Sequence, residues 1–437
     1  MANSAKILEK RIEKKTAKIA VIGLGYVGLP LAHAFAEKGY RVTGIDIDNR
    51  KVQCIKSGKS YIGDLPSSAL KRELKRGTLT AVADFDPLES MDVIIVCVPT
   101  PLNRVKDPDI SYIVSCTSAI EKRLHSGQLI SLESTTYPGT TEEVILPHLQ
   151  KSGLKVGRDF FLCFSPERID PGNEKFKTQD ISKVVGGVTA TCGKLASMLY
   201  GKITKHVVTV SSPRTAEMAK LLENTFRIVN IGMINELARA ATSLQVNIWE
   251  AIDAAKTKPF GFMPFYPGPG IGGHCIGVDP IYLSWKARIH GADLHFIELA
   301  RRVNAEMPSY VVSQAVYTLN QYAGKAISRS KVMVLGISYK KDVADTRESP
   351  ALDVIEKLKA LGAKVSYHDP YVSQISHHHL TLRSKPLTAA NLRKQDLVII
   401  ATDHTDFDYK MIVAKSRLIY DTRNVLKNYL QKHIVRL

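Results

Sequence analysis

The sequence predicts an α/β protein in which two doubly wound parallel-sheet domains are joined by a long central helix and helical domain. Three observations predict it. Short apolar runs alternate with helical stretches from Lys18 onward, and the same rhythm returns at Lys331. Between them lies a long proline-free stretch of helical periodicity. Continuous apolar strands separated by helices belong to parallel sheets covered on both faces.

The elements follow in order. Residues 1–16 form a basic N-terminal extension, polar and read as at most one frayed helix. Ile19-Ala20-Val21-Ile22-Gly23 is a buried strand, Leu29 to Lys38 a helix and Arg41 to Asp46 a second strand. Asp92 to Pro99 and Gln128 to Glu133 are further strands, and these elements fall in a first domain, residues 17–212. Arg214 to Leu244 contains no proline and one glycine, with Met218, Leu221, Leu222, Phe226 and Val229 at helical spacing. It is too long for a simple crossover and opens a helical domain, residues 213–325, read as the spine between two domains and as a dimer interface. Val332 to Gly336, Lys364 to Pro370 and Asp396 to Ala401 are strands of a last domain, residues 326–437.

Composition narrows the function classes. With 437 residues, 44% hydrophobic and 23% charged, this is an ordinary globular composition. The six cysteines at 54, 97, 116, 163, 192 and 275 are scattered, with no CxxC and no zinc-finger spacing. No metal is expected, and a reducing cytoplasm fits. Residues 5–18 are basic and broken by Glu9 and Glu13, unlike a secretory signal. Ile19 to Ala36 carries no formal charge, yet three glycines and Pro30 inside it argue for strand, turn and helix, so no membrane span is expected. The net charge of +18 is spread along the chain and interleaved with acids, which suits attraction of a multiply anionic small substrate better than nucleic acid. His377-His378-His379 reads as a solvated polar loop.

The first candidate site is a dinucleotide corner. Gly23-Leu24-Gly25-Tyr26-Val27-Gly28 has the G-x-G-x-x-G spacing, follows a strand and opens a helix, and Asp46 ends the next strand. Gly23 permits the tight turn, Gly25 lets the backbone approach a pyrophosphate, and Gly28 lets helix and strand pack closely. The phosphates would sit on the helix N-terminus, with Asp46 accepting hydrogen bonds from the adenosine ribose. A carboxylate there repels the ribose phosphate of NADP, so NAD is the expected cofactor; Lys51 lies close by.

The second centres on Cys275. Pro267-Gly268-Pro269-Gly270-Ile271-Gly272-Gly273-His274-Cys275 leads to one thiol, and Asp279 follows four residues later. The apolar run from Val278 to Trp285 places a helix near the thiol, where oriented N–H groups favour a thiolate. Asp279 would share its face. Alone, the loop equally fits a glycine-rich turn ending in a buried, inert cysteine. Polar residues also gather where strands should end, at Val98-Pro99-Thr100-Pro101, at Glu133-Ser134-Thr135-Thr136 and at Ser165-Pro166-Glu167-Arg168. Lys220 and Asn224 share one face of the long helix, though either alone fits a solvated surface.

Taken jointly, these motifs resemble a nucleotide-sugar 6-dehydrogenase of the UDP-glucose/GDP-mannose dehydrogenase family. The resemblance runs from Lys18 to Leu437. It rests on the GxGxxG turn, the Ser134-Thr135 strand end, the Pro166-Glu167 turn, the Lys220-x-x-x-Asn224 helix, the Gly272-Gly273-x-Cys275-x-x-x-Asp279 loop and Asp345-Thr346-Arg347-Glu348-Ser349-Pro350. It implies two Rossmann-like domains, NAD as cofactor, a UDP-sugar substrate and a homodimer or higher homo-oligomer. Cys275 resembles the thiol that attacks an aldehyde. Lys220, Asn224 and Asp279 resemble the groups that bind water and stabilise the oxyanion. Glu167 resembles the acid/base carboxylate, and Thr135 a hydroxyl lining that site and the cofactor. Tyr26, Val27, Lys51, Thr100 and Arg347 resemble cofactor contacts. Lys340, Arg423, Phe265, Tyr266, Gly272, Arg168 and Lys258 resemble sugar-nucleotide contacts. Lys258 stands near where UDP-glucose members carry an arginine, and Gly277 where many members have proline. Residues 165–173 resemble the branch that oxidises UDP-N-acetylhexosamines, and Lys258 to Pro264 points to UDP-N-acetylglucosamine. The expected reaction is four-electron oxidation of that sugar to its uronic acid for surface polysaccharide synthesis. UDP-N-acetylmannosamine or UDP-glucose is the runner-up substrate. An NAD-binding regulatory or nucleic-acid-binding protein is the non-catalytic alternative.

Overall fold

The computed structural model describes residues 3–63, 65–103, 105–168, 180–377 and 380–437. The chain packs as two compact units, Met1–Glu223 with Ile281–Gly291, and Asn224–Pro280 with Ala292–Leu437. The helical middle is thus divided, and the long helix Pro213–Ser243 and the helix His274–Ile289 each give residues to both units.

The first unit holds an eight-stranded sheet. Its strands are β1 (Lys18–Ile22), β2 (Arg41–Ile45), β3 (Leu79–Val82), β4 (Val93–Val96), β5 (Leu129–Leu132), β6 (Phe161–Phe164), β7 (Lys183–Gly187) and β8 (Val207–Val210). Their spatial order is β3-β2-β1-β4-β5-β6-β7-β8. The first six have the 3-2-1-4-5-6 order of a dinucleotide-binding sheet, with the switch point beside β1 and β4. β7 runs antiparallel to β6, and β8 runs parallel to β7. Both faces are covered, as the apolar runs require. Ile19 and Val21 feed one core with Phe35 and Tyr40, while Ala20 and Ile22 feed the other with Ile94 and Ile130. Truncating one of these isoleucines to alanine costs about 2–5 kcal/mol.

The N-terminal segment departs from expectation. It forms the one helix allowed for it, Asn3–Glu13, but packed on the core rather than frayed. Leu8 and Ile12 are buried in the core beneath it, and Tyr40 donates to the Ile12 carbonyl at 2.7 Å. Arg11 pairs with Asp92 and Lys194 with Glu9. The two apolar residues four apart are enough to seat a short basic helix.

The strands of the second unit are β9 (Lys331–Leu335), β10 (Lys364–His368), β11 (Gln374–His377), β12 (Leu380–Arg383), β13 (Leu397–Ile400), β14 (Ile419–Asp421) and β15 (Ile434–Arg436). They form a five-stranded parallel sheet, β10-β9-β13-β14-β15, and a small antiparallel pair, β11 with β12. Alternation again serves two cores, Val332 and Val334 on one face, Met333 and Leu335 on the other. His377 ends a strand instead of lying in a polar loop, and His378 and His379 lie outside the described residues. Among the described residues, no helix is long and apolar enough to cross a membrane.

Candidate active site

At the dinucleotide corner the three glycines have separate physical reasons. Gly23 sits at φ 90°, and a Cβ on it would lie 2.5 Å from the Cys97 carbonyl oxygen. A Cβ on Gly28 would lie 1.8 Å from the Gly23 oxygen. Gly25 has nothing within 4 Å of such a Cβ, so it leaves open the space a pyrophosphate needs. Val27 caps the helix Gly28–Glu37 without a side-chain hydrogen bond, and Tyr26 stands exposed on the turn. In the first turn Leu29 N and Leu31 N donate to the Gly25 and Val27 carbonyls at 3.2 Å and Pro30 has no N–H, so the helix offers an anion mainly the positive end of its dipole.

Asp46 is buried just past β2. Its carboxylate accepts from the backbone N–H groups of Leu24 and Asp48 and from Lys51 Nζ, each at 2.9 Å. A carboxylate offers about four acceptor positions, so room remains for a ribose hydroxyl. Lys51, expected as a cofactor contact, is paired with Asp46, and Arg50 is paired with Asp48 at 3.0 Å. Both nearby cations are thus already matched by acids. Thr100 is buried beyond β4.

Around the ends of β5 and β6 a polar cluster forms in the first unit. Lys220 Nζ donates to Thr135 Oγ1, and the lysine is nearly buried. One turn earlier Glu217, which the sequence reading missed, accepts from Gly139 N at 2.5 Å, Thr141 N at 3.0 Å and Thr141 Oγ1 at 2.7 Å. Burial pushes the Glu217 carboxyl up. This carboxylate ties the segment after Thr135 to the long helix. Glu167 accepts from Arg168 N at 2.7 Å and from Lys183 Nζ at 3.0 Å. Arg168, expected to meet substrate, is held by Glu223 at 2.6 Å and by the Ser182 carbonyl at 2.9 Å. Residues 169–173, on which the sugar preference was read, lie outside the described residues.

In the second unit Cys275 is the second residue of the helix His274–Ile289 and is exposed. Four residues on, Asp279 is buried and accepts from Asn224 Nδ2 at 2.6 Å. The spacings Lys-x-x-x-Asn and Cys-x-x-x-Asp are thereby joined by a direct hydrogen bond. The approach loop needs its glycines: a Cβ on Gly272 would lie 2.5 Å from Tyr339 Cβ, and one on Gly273 2.7 Å from the Tyr339 ring. Gly273 sits at φ 81° and donates to the Arg347 carbonyl at 3.0 Å. Arg423 Nε donates to the Ala401 carbonyl at 2.8 Å, and its Nη1 lies 2.7 Å from where a Cβ on Gly268 would be. Phe265 packs edge-on against Phe226, and Tyr266 stacks on Trp249 and donates to Asp253 at 2.9 Å. Three further residues were expected as ligand contacts. Arg347 folds back on Asp345 at 2.6 Å. Lys258 is exposed, 4.9 Å from the centre of the Phe260 ring. Lys340 offers its carbonyl to Ser338 Oγ at 3.1 Å.

This sheet order, glycine turn and thiol loop agree with the comparisons to known proteins. Models of the UDP-glucose/GDP-mannose dehydrogenase family match the chain as its NAD binding domain over residues 17–204, its central domain over 214–306 and its UDP binding domain over 333–428. The chain belongs to this family. It is an enzyme of the NAD-dependent UDP-sugar dehydrogenase class, with NAD as cofactor. A UDP-N-acetyl-D-mannosamine dehydrogenase of Methanococcus aeolicus is 35% identical, over 97% of this chain and 94% of its own length. A UDP-N-acetyl-D-glucosamine 6-dehydrogenase of Pseudomonas aeruginosa is 36% identical, over 94% of this chain and 98% of its own. The solved structure of a UDP-D-ManNAc dehydrogenase from Pyrococcus horikoshii superposes with a TM-score of 0.86 at 35% identity, covering 96% of this chain and 98% of that one.

Proposed function

We propose that this dehydrogenase oxidises the C6 alcohol of UDP-N-acetyl-D-glucosamine to the uronic acid, in the cytoplasm, to supply surface polysaccharide synthesis. The observation that carries the chemistry is the exposed Cys275 at a helix start, with Asp279 and Asn224 bonded at 2.6 Å one turn on. An alcohol cannot reach a carboxylate by one hydride loss, so the aldehyde must be captured. NAD supplies the hydride acceptor, two molecules per acid formed. The Cys275 thiolate adds to the aldehyde carbon, giving a thiohemiacetal and, after the second oxidation, a thioester. Water then adds to the thioester and expels the thiolate. The balance is one alcohol, two NAD and one water giving one acid, two NADH and two protons. Lys220 and Asn224 carry donors suited to the tetrahedral oxyanion. Glu167 is assigned the proton transfers, with Thr135 holding Lys220 in place. Asp46 and the glycine turn hold the cofactor. Lys340, Arg423, Phe265 and Tyr266 are assigned to the sugar nucleotide.

The relative from Pseudomonas aeruginosa and the stretch Lys258 to Pro264 support the glucosamine substrate. The relatives from Methanococcus aeolicus and Pyrococcus horikoshii favour a second reading, UDP-N-acetyl-D-mannosamine. NADH release on a panel of UDP-N-acetylglucosamine, UDP-N-acetylmannosamine, UDP-glucose and GDP-mannose decides. The largest kcat/KM with the glucosamine sugar supports the proposal; a larger one with any other overturns it and leaves the chemistry intact. A homodimer is also proposed, because Phe226, Met233 and Leu237 form one stripe on the long helix, each 46–47% exposed.

A further inference from the structure

We infer that Lys183 is a positioning residue for the reaction, a buried cation that holds the Glu167 carboxylate in place against Glu133. This rests on the assignment of Glu167 as the acid/base group. The geometry follows from strand direction. β5 and β6 are parallel, so Glu133 and Glu167, which follow them, stand at the same sheet edge. β7 runs antiparallel to β6, with Phe164 opposite Gly186, so its first residue, Lys183, arrives at that edge too. Lys183 Nζ lies 2.7 Å from Glu133 Oε2, 3.0 Å from Glu167 Oε2 and 5.2 Å from the centre of the Tyr200 ring. Glu133 is completely buried and Glu167 nearly so. Burial would lower the Lys183 ammonium, but the two carboxylates outweigh it and hold it above its ordinary value.

Burial pushes the Glu133 carboxyl up, Glu167 adds to the rise, and the cation between the two opposes it and favours their ionised forms. Without the cation, two like charges at such short range share a proton, and the exposed-edge member loses its use as a base. Glu133 also directly precedes Ser134-Thr135, so the same ion pair steadies the hydroxyl that accepts from Lys220. The other groups facing the cluster do not compete for this titration. Burial lifts the thiols of Cys97 and Cys163 and the Tyr200 hydroxyl, so all three stay neutral. Arg168 is matched by Glu223.

The test is the pH profile of kcat for NADH release by the full-length enzyme. Lys183→Met should lift the acidic limb by about one unit or more and lower kcat at neutral pH about tenfold or more. The KM values for NAD and UDP-sugar should move less than kcat does, because Lys183 is matched by the two carboxylates and acts through Glu167. Lys183→Arg should return the limb toward that of the unmodified enzyme. Lys183→Met leaves Glu133 buried and unpaired, which threatens folding. The same change is therefore also made in Glu133→Gln, where that charge is gone, and must lift the limb relative to Glu133→Gln alone. A limb unchanged by Lys183→Met in both backgrounds overturns the inference. Failure of the underlying assignment reads differently: Glu167→Gln would then keep its turnover and its limb whatever Lys183 does.

Discussion

Gly25→Ala and Gly28→Ala, made side by side, separate a glycine kept for a ligand from one kept for packing. At Gly28 the added methyl would stand 1.8 Å from the Gly23 oxygen, and reaching even a 3.0 Å contact requires a shift of about 1.2 Å in backbone that also carries the positive φ of Gly23. Overpacking of this kind costs about 1–3 kcal/mol. The unit should therefore melt several degrees lower, and its NAD affinity should fall with the distorted turn. At Gly25 the methyl meets nothing within 4 Å. The ligand-free protein should be as stable as before, or about 0.4–1 kcal/mol more so, because the unfolded chain loses freedom. Its loss appears only on binding. A methyl standing where the pyrophosphate approaches removes a charge-assisted hydrogen bond of about 1.5–3 kcal/mol, which is about 10- to 150-fold in the NAD dissociation constant. Differential scanning calorimetry without ligand and isothermal titration with NAD read the two effects separately. If Gly25→Ala binds NAD within about threefold of the unmodified protein, the pyrophosphate does not pass over Gly25 and the reasoning at this corner fails.

Asp46→Ala should raise the KM for NAD and narrow the preference over NADP, since Lys51 and Arg50 lose an acid partner or the field of one; equal use of both cofactors by the unmodified enzyme removes this role from Asp46. Glu217 gives a pH prediction. Its folded carboxyl is raised by burial, so its stabilising contribution is complete below the unfolded value of about 4.3 and is lost as pH rises through the folded one. The melting-temperature advantage of the unmodified protein over Glu217→Gln should therefore shrink from about pH 4 upward; an advantage that grows with pH contradicts it. Leu237→Glu, placing a charge in the exposed stripe of the long helix, should shift sedimentation from dimer to monomer, whereas an unmodified protein that sediments as a monomer refutes the dimer.

The legible parts of the molecule were those whose partners are close in sequence. The roles of Gly23, Gly25 and Gly28 follow from spacing, because turn, helix start and strand are consecutive. Lys220 with Asn224 and Cys275 with Asp279 follow from helical periodicity, although the bond between Asn224 and Asp279 spans two segments and needed the fold. Lys183 was not legible. It opens an apolar strand, and its partners Glu133 and Glu167 reach it only through the register of β5, β6 and an antiparallel β7. A lone lysine heading the run Val184-Val185 was the available signal. Glu217 was hidden for a similar reason, since its three donors lie 76 to 78 residues away in sequence. Leu8 and Ile12 went unread because two apolar residues in a basic segment make a weak pattern. Arg347 and Arg168 were named by motif, yet which acid each meets is settled by local loop geometry.

The central claim is that Cys275 forms the covalent bond that allows two oxidations at one carbon. The measurement is uronic acid formed per mole of folded Cys275→Ala protein, with NAD binding checked by titration and NADH counted against acid in the unmodified enzyme. The account predicts two NADH per acid for the unmodified enzyme. It predicts intact NAD binding but no appreciable acid from Cys275→Ala, because no thiohemiacetal or thioester can form. An exposed cysteine with no chemical role would lose little on truncation and keep turnover. Acid production by Cys275→Ala within a few-fold of the unmodified enzyme contradicts the account.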